Sequence, residues 1–334
     1  MSDSVRTKLE ASVNGQAMRK RRSKKPKQSK KVDLEQKELV PQKIEYDTHA
    51  IEREANVLFK PNAGPQTEFL AAPEREVLYG GSAGGGKSYA MLADPLRFMG
   101  HPAFSGLLLR HTTEELRELI SKSQELYPKV WPGIKWSERK MQWTAPSGAR
   151  LWMSYLDRDD DVMRYQGLAF SWIGFDELTQ WPSPYAWNYM RSRLRSTAPD
   201  LEVYMRATTN PGGPGHGWVK KMFIDPAPYD TSFAATDIET GEALKYPAGH
   251  SKAGRPLFKR RFIPARLSDN PYLSDTGDYE AMLLSLPEHQ RRQLLEGDWD
   301  IKEGAAFTEF NRHIHVVEPF DIPSNWVKFR ACDY

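Results

Sequence analysis

The chain has 334 residues, of which 39% are hydrophobic, 27% charged and 11% aromatic, a balance that predicts a globular protein of one large or two modest domains. No apolar run approaches the roughly 20 residues of a membrane span, and the first residues lack the apolar stretch of a signal peptide, so we expect no membrane association. A single cysteine, Cys332, excludes an internal disulfide framework and is typical of a reducing cytoplasm.

The formal net charge of +3 conceals a strongly basic segment near the start of the chain. Residues 19–31 hold nine lysines and arginines and no acid, so the rest of the chain is net negative. We predict that residues 1–45 form a disordered basic tail, because they are polar, charged and without periodicity. Two interpretations of the basic run stay open: a solvated tail, or a non-specific attraction to a phosphate backbone or to an acidic partner surface.

The next predicted elements lead to a glycine-rich loop. A short helix is expected over 46–58, and residues 58–70 precede the first core strand at Val77–Tyr79. The loop follows this strand, and Ser88–Ala93 has the pattern of a helix start. Strand, loop and helix in this order place a helix N-terminus opposite any anion that the loop binds.

Alternating strands and helices are predicted as far as about residue 212. They are a strand at 107–110, a helix opened by a capping box at 112–115, a hairpin from 141–144 and 149–153, and strands at 172–175 and 203–208. Short apolar strands between helices predict an α/β fold with a mainly parallel central sheet flanked by helices. Because proline, glycine and charge then rise, we assign 46–214 to this core, 215–303 to a smaller lid or linker subdomain, and 304–334 to a further segment.

The glycine-rich loop contains a complete GxxxxGKS phosphate-binding motif. Glycines let successive N–H groups point at the β- and γ-phosphates of a nucleoside triphosphate. A lysine adds positive charge on the same phosphates, and a serine hydroxyl is a ligand for Mg²⁺. The candidate nucleotide-binding residues are Gly81, Ser82, Ala83, Gly84, Gly85, Gly86, Lys87 and Ser88. The alternative, a chance glycine-rich turn, is disfavoured by the complete motif and its context.

An acidic pair follows the strand predicted at 172–175 and completes the predicted site. At the end of the strand, Asp176 is expected to hold Mg²⁺ through water, while Glu177 polarises the attacking water. The alternative is a surface Asp-Glu turn, which the phosphate-binding motif upstream disfavours. Gly174 within the strand is a weakness of the prediction, because glycine disfavours strands.

Four motifs and two later stretches, in this order, resemble the ATPase part of the large terminase subunit of tailed bacteriophages, the motor that pumps DNA into procapsids. They are PQTEFL from Pro65, YGGSAGGGKS from Tyr79, FDEL from Phe175, TTNP from Thr208, and the stretches at 262–273 and 294–299. Many ATPases share the loop and the acidic pair, whereas the ordered combination is far more discriminating. The resemblance implies a P-loop NTPase fold of the ASCE type with a lid subdomain, and ATP and Mg²⁺ as cofactors.

The resemblance also implies roles for further residues. Gln66 matches a glutamine that hydrogen-bonds adenine in the family. Asn210 lies in a stretch that resembles the coupling motif, which senses the γ-phosphate. The alternative for this stretch is an Asx-type turn closed by Pro211. Arg164 resembles an arginine that acts on a neighbouring subunit's site, and its alternative is a surface salt bridge to the acidic cluster at 157–161. The loop carries Ala83 where many terminases have an arginine.

The end of the chain resembles the first strand of a ribonuclease-H-like nuclease. Asp333 matches its opening metal-binding aspartate, but one strand cannot supply the several carboxylates of a two-metal site. We therefore expect residues 304–334 to be a linker and the first strand of a truncated nuclease domain, without nuclease activity of its own.

The implied partners are double-stranded DNA, bound without sequence preference, a portal and procapsid, a small terminase subunit, and copies of the chain in a ring. The implied location is the host bacterial cytoplasm and, transiently, the portal. The basic residues named as candidate DNA contacts are Lys220, Lys221, Lys252, Arg255, Lys259, Arg260, Arg261, Arg291 and Arg292. Two other functions stay open: a helicase-like nucleic-acid-dependent ATPase, and an inactive prophage fragment.

Overall fold

The central strands are short apolar runs buried along their length, as expected for a parallel sheet covered on both faces. The computed structural model describes residues 59–301 together with 321, 323 and 325–327. The predicted tail at 1–45, the predicted helix at 46–58, most of segment 304–334 and Asp333 lie outside the described residues.

The strands of the described residues are β1 (Glu76–Gly81), β2 (Ser105–Arg110), β3 (Lys135–Ser137), β4 (Gln142–Thr144), β5 (Arg150–Tyr155), β6 (Trp172–Asp176), β7 (Tyr204–Thr209), β8 (Phe233–Ala234) and β9 (Lys259–Ala265). The α-helices are α1 (Pro65–Ala71), α2 (Lys87–Ala93), α3 (Thr113–Val130), α4 (Tyr185–Arg191), α5 (His216–Val219), α6 (Pro271–Ser274), α7 (Asp278–Leu284) and α8 (Glu288–Arg291). Single π-helical turns continue α5 and α8, over Lys220–Ile224 and Arg292–Glu296. Shorter 3-10 turns cover Asp94–Phe98, Glu138–Lys140, Asp159–Tyr165, Leu178–Gln180 and Leu267–Asp269.

The nine strands of the described residues form one mixed sheet in the order β3-β4-β5-β2-β6-β7-β1-β9-β8. The six central strands from β5 to β9 are parallel, and β3, β4 and β8 join antiparallel at the two edges. The predicted mainly parallel α/β sheet is therefore confirmed. The hairpin predicted around 145–148 is also confirmed, as the antiparallel pair β4 and β5.

Apolar clusters cover both faces of this sheet. Along β1, Val77 and Tyr79 belong to one cluster and Leu78 to the other, so alternate residues point to opposite faces. Helix α3 packs its buried residues, which include Leu116 and Leu119, into the first cluster. Among residues 59–301 and the few described beyond them, no helix has the length and apolar character that crossing a bilayer requires.

Helix α3 begins where the sequence predicts, and the cause is local. The Thr112 hydroxyl accepts a hydrogen bond from the Glu115 N–H at 3.4 Å, while the Glu115 carboxylate accepts one from the Thr112 N–H at 3.3 Å. This reciprocal capping box satisfies two N–H groups that the first helical turn leaves without intrahelical partners.

Strand β9 is the main element that the sequence analysis misses. Residues 259–265 begin Lys-Arg-Arg and contain Pro264, a composition that is atypical of a central strand. In the structure β9 nevertheless lies beside β1, paired in parallel from Glu76–Arg260 to Gly81–Ala265. The wholly buried Glu76 carboxylate accepts a hydrogen bond from Arg260 Nε at 2.8 Å, and it also pairs with Arg191. This charge pairing makes the burial of a basic strand residue tolerable.

Candidate nucleotide-binding site

The phosphate-binding loop (residues 81–88) joins the end of β1 to the start of α2. Gly86 has φ 77°, in the left-handed region that glycine adopts without strain, and forms the N-cap of α2. Gln66 Nε2 donates to the Gly86 carbonyl at 2.9 Å, and the Tyr79 hydroxyl donates to the Gly85 carbonyl at 2.7 Å. These two side-chain hydrogen bonds to loop carbonyls fix the backbone curvature just before the helix N-terminus.

Lys87 is buried beneath the loop. Its Nζ donates to the Ser82 carbonyl at 2.6 Å. Burial lowers the pKa of the Lys87 ammonium, and the charges of Glu177 and Asp176 oppose this shift. The structure therefore brings the lysine into electrostatic range of both acidic residues, although about ninety positions separate them along the chain.

The acidic residues reach this position because of strand order. Strand β7 lies between β1 and β6, so the carboxyl ends of the three strands meet at one edge of the sheet. Asp176, the last residue of β6, is wholly buried and lies level with Thr208 of β7. The Thr208 hydroxyl hydrogen-bonds Asp176 Oδ1, and Arg110 Nε lies 2.9 Å from Asp176 Oδ2.

Glu177 has a strained backbone, with φ 59° for a residue that is not glycine. Burial raises the pKa of the Glu177 carboxyl and Asp176 adds to the rise, while the charges of Lys87 and Arg110 oppose it. Its Oε2 lies 3.5 Å from the Thr209 hydroxyl. The strained backbone and the raised pKa together are typical of a functional position rather than a surface turn.

The Thr208–Pro211 run lies beside the acidic pair, as predicted. The Thr209 hydroxyl is 2.7 Å from the Thr179 hydroxyl, which in turn donates to the Asn210 carbonyl at 3.2 Å. The buried Asn210 Oδ1 has no hydrogen-bond partner within the described residues. These threonines therefore join the turn after β6 to the turn after β7.

The donor set fits a nucleotide-bound Mg²⁺. Asp176 Oδ2 is buried and accepts no hydrogen bond within the described part of the chain, and Ser88 lies in the first turn of α2. Residues 59–301 and the few beyond them contain no group of three or more His, Cys, Asp or Glu side chains arranged for a metal ion. Two oxygen ligands such as Ser88 and Asp176 suffice for nucleotide-bound Mg²⁺, which takes one or two protein ligands and completes its coordination with phosphate oxygens and water.

Gln66, the predicted adenine contact, lies beneath the loop in this structure. Its Oε1 accepts from the Asn62 N–H at 2.6 Å, and its Nε2 bonds Gly86 as described. Both ends of the amide therefore contact the protein.

Arg164, the predicted trans-acting arginine, lies in the turn that follows β5. Its Nη2 is 2.7 Å from Asp161 Oδ1, and its guanidinium stacks over the Tyr155 ring at 5.3 Å. The salt bridge weighed as the alternative is therefore present. The side chain is nevertheless 46% exposed, so part of the guanidinium faces solvent.

One candidate DNA contact is wrong. Arg260 is 1% exposed and pairs with Glu76, so it is neither a solvated residue nor a DNA ligand. Among the other candidates, Lys220 contacts Asp300 at 2.7 Å, Arg261 contacts Asp230 at 2.5 Å, and Arg292 contacts Asp298 at 2.6 Å.

Sequence reasoning missed two features of the site. The first is Arg110, whose place next to Asp176 depends on the β2–β6 pairing and has no local signal. The second is the covering segment (residues 288–297), which lies against the phosphate-binding loop. Within it, the Leu294 carbonyl accepts from the Ala83 N–H at 2.6 Å. The resemblance at 294–299 marked this stretch without indicating where it packs.

Comparison with known families identifies the chain. Residues 78–314 match the family described as the N-terminal part of the T4likevirus-type terminase large subunit. The chain belongs to this terminase family. The match runs from within β1 through β9 and the covering segment, so it includes the phosphate-binding loop and the acidic pair of the terminase chain, while Gln66 precedes it.

Two crystal forms of one solved terminase agree with this chain in fold. The large terminase of a thermophilic bacteriophage, solved with ADP, has 18% identity and a TM-score of 0.52, over 79% of this chain and 60% of that one. Another crystal form of the same protein gives 16% identity and a TM-score of 0.53, over 79% and 60%. A lower similarity is found to the ATPase domain of the Thermus phage P74-26 large terminase, with 13% identity and a TM-score of 0.45 over 72% of this chain and 94% of that one. The chain thus spans about three fifths of the thermophilic-phage protein solved with ADP, and no curated protein matches it.

Proposed function

We propose that this terminase chain is the ATP-hydrolysing part of a motor that moves double-stranded DNA into procapsids. The observation that supports it most is the phosphate-binding loop, whose Lys87 lies within electrostatic range of Asp176 and Glu177. The large terminase of the thermophilic bacteriophage, which shares the fold, was solved in complex with ADP. A charged loop lysine and a strand-end carboxylate pair are the parts that phosphoryl transfer requires, since its catalysis is mainly positioning and charge stabilisation.

Each site residue then has a defined task. The loop N–H groups and Lys87 would hold the phosphates. Ser88 and Asp176 would hold Mg²⁺, which when bound would supply positive charge to offset that of the phosphates. Glu177 orients and polarises the attacking water. Asn210 reports the presence of the γ-phosphate to the turn after β7. Gln66 contacts adenine after exchanging one of its present hydrogen bonds.

Arg164 completes the site of a neighbouring subunit in a ring. Its exposed guanidinium supports this role, because a residue that acts in trans must project from the surface. Mixing Arg164→Ala subunits with Glu177→Gln subunits tests it: activity should partly recover in the mixture, since one population supplies the arginine and the other the glutamate. An absence of recovery over a range of ratios would remove this role.

The partners follow from the motor function. We propose sequence-independent contacts with DNA phosphates, assembly at a portal on a procapsid, delivery of DNA by a small terminase subunit, and a host cytoplasmic location. Binding of DNA should weaken steeply as salt rises, because phosphate contacts release counterions. Affinity that does not depend on salt would contradict this mode of binding.

ATP hydrolysis with and without double-stranded DNA tests the proposed activity. Lys87→Ala and Glu177→Gln should both abolish turnover, while Glu177→Gln still binds ATP. Lys122→Ala and Glu118→Gln are matched controls, because this salt bridge lies on the outer side of α3, and the Glu118 side chain is 63% exposed. Both controls should keep wild-type rates. Unchanged hydrolysis in the two site variants would refute the assignment.

A further inference from the structure

Arg110 is a buried cation that the proposed mechanism does not yet use. It is the last residue of β2, and the β2–β6 register pairs Leu109 with Phe175, so Arg110 lies level with Asp176. Its residue surface is 8% exposed, and its Nε lies 2.9 Å from Asp176 Oδ2. Asp176 is thus flanked by Arg110 from β2 and by Thr208 from β7.

The Arg110–Asp176 pair leaves a carboxylate oxygen without a hydrogen bond, unlike the other buried arginine–carboxylate pairs of the described residues. Neither Arg110 Nε nor Asp176 Oδ2 makes an aligned hydrogen bond within the described residues, although the two atoms are close. Another buried arginine–carboxylate pair, Arg260 with Glu76, has an aligned bond of 2.8 Å. In a third, Arg206 with Asp94, the Asp94 Oδ2 atom accepts hydrogen bonds from Trp172 and Tyr204. A buried ion pair without alignment recovers little of its desolvation cost. Asp176 Oδ2 is therefore held beside a guanidinium and is still open to a further ligand.

We propose that Arg110 is a positioning residue that holds the Asp176 carboxylate aimed at the metal position when nucleotide is absent, and shares the carboxylate with Mg²⁺ when nucleotide binds. The proposal rests on the proposed function in one respect, that Mg²⁺ and nucleotide bind at Asp176. Arginine suits the task because its guanidinium stays charged at any physiological pH. Without a cation in direct contact, a carboxylate in this buried place would carry a large desolvation cost.

Melting temperatures provide a test that does not depend on turnover. Without ligand, Arg110→Gln should melt roughly 10 °C below wild type, because it leaves the buried Asp176 charge unpaired. Mg²⁺·ADP should recover most of that loss, since the metal supplies the missing cation, so the ligand-induced rise should exceed that of wild type. ADP with EDTA should give no such excess.

Arg260→Gln is the matched control. It removes an arginine that is also buried and paired with a carboxylate, at the opposite end of β1 from the loop. It should also lower the melting temperature, but its rise with Mg²⁺·ADP should equal that of wild type. An excess rise in both variants, or in neither, would overturn the proposal.

A double variant tests the pairing without ligand. Arg110→Gln combined with Asp176→Asn removes both charges at nearly constant volume, so it should melt well above Arg110→Gln alone. A double variant that melts no higher than the single one would contradict the pairing. Arg110→Lys, which keeps the charge, should show a Mg²⁺·ADP rise close to that of wild type, whereas a loss of packing alone predicts behaviour like that of Arg110→Gln.

The response of wild type to Mg²⁺·ADP separates a failure of the nucleotide site from a failure of the Arg110 role. If wild type gains no stability from Mg²⁺·ADP, the nucleotide site itself is refuted, and the role of Arg110 is refuted with it. If wild type gains stability and Arg110→Gln shows no excess, only the role of Arg110 is refuted.

Discussion

Gly297 forms a close contact between the covering segment and the phosphate-binding loop. It has φ 66°, and a Cβ added there would lie 2.7 Å from Ser82 N and 2.9 Å from the Gly81 backbone. Gly297→Ala therefore carries two costs: about 1–2 kcal/mol for a left-handed alanine and about 1–3 kcal/mol for overpacking against backbone. The sum predicts a loss of about 2–5 kcal/mol in the free energy of unfolding.

Gly277→Ala separates these two costs. Gly277 has φ 69°, but nothing lies within 4 Å of its added Cβ, so only the backbone cost of about 1–2 kcal/mol applies. Urea denaturation of both variants gives the difference directly, and titration with a fluorescent ADP analogue should show weaker binding for Gly297→Ala alone. Equal losses of stability and equal affinities in the two variants would refute the packing of the covering segment on the loop.

Three further predictions concern stability, each measured by urea denaturation. Asp94→Ala should cost about 3–5 kcal/mol, because it leaves the buried Trp172 indole N–H and a paired arginine without their carboxylate. Asp200→Ala, which removes an exposed partner of His101, should be close to neutral, and similar losses in the two variants would contradict this. Thr112→Ala should cost about 1 kcal/mol through loss of the capping box, and an unchanged midpoint would count against it. Burial lowers the pKa of His216, so the folded state favours the neutral ring. The contribution of His216 to stability should therefore be full above the unfolded pKa of 6.5 and should be lost as the pH falls through the lowered folded pKa. His216→Gln should flatten this dependence, and the same pH response in both proteins would disprove it.

Much of the fold and the site could be predicted from the sequence because the signals are local. The capping residues of α3 lie three positions apart, and the GxxxxGKS motif holds the strand end, the glycines and the helix start in one short stretch. The acidic pair follows an apolar strand directly. In each case neighbouring residues determine the conformation, so the pattern is visible without the tertiary structure.

The features that were missed depend on residues distant in sequence. The polar strand β9 is stabilised by Glu76, which lies 184 positions earlier, and its Lys-Arg-Arg start gives no hint of that partner. Likewise, Arg110 meets Asp176 only because β2 pairs with β6. The covering segment reaches the loop through Leu294 and Gly297, whose contacts are with backbone atoms that no side-chain pattern encodes.

A crystal structure with Mg²⁺ and a non-hydrolysable ATP analogue tests the central claim most directly. We expect the triphosphate to lie along residues 81–88, with Lys87 on its terminal phosphate and the metal between Ser88 and Asp176, close to Glu177. A nucleotide bound elsewhere, or a metal that leaves Asp176 without contact, would contradict the account.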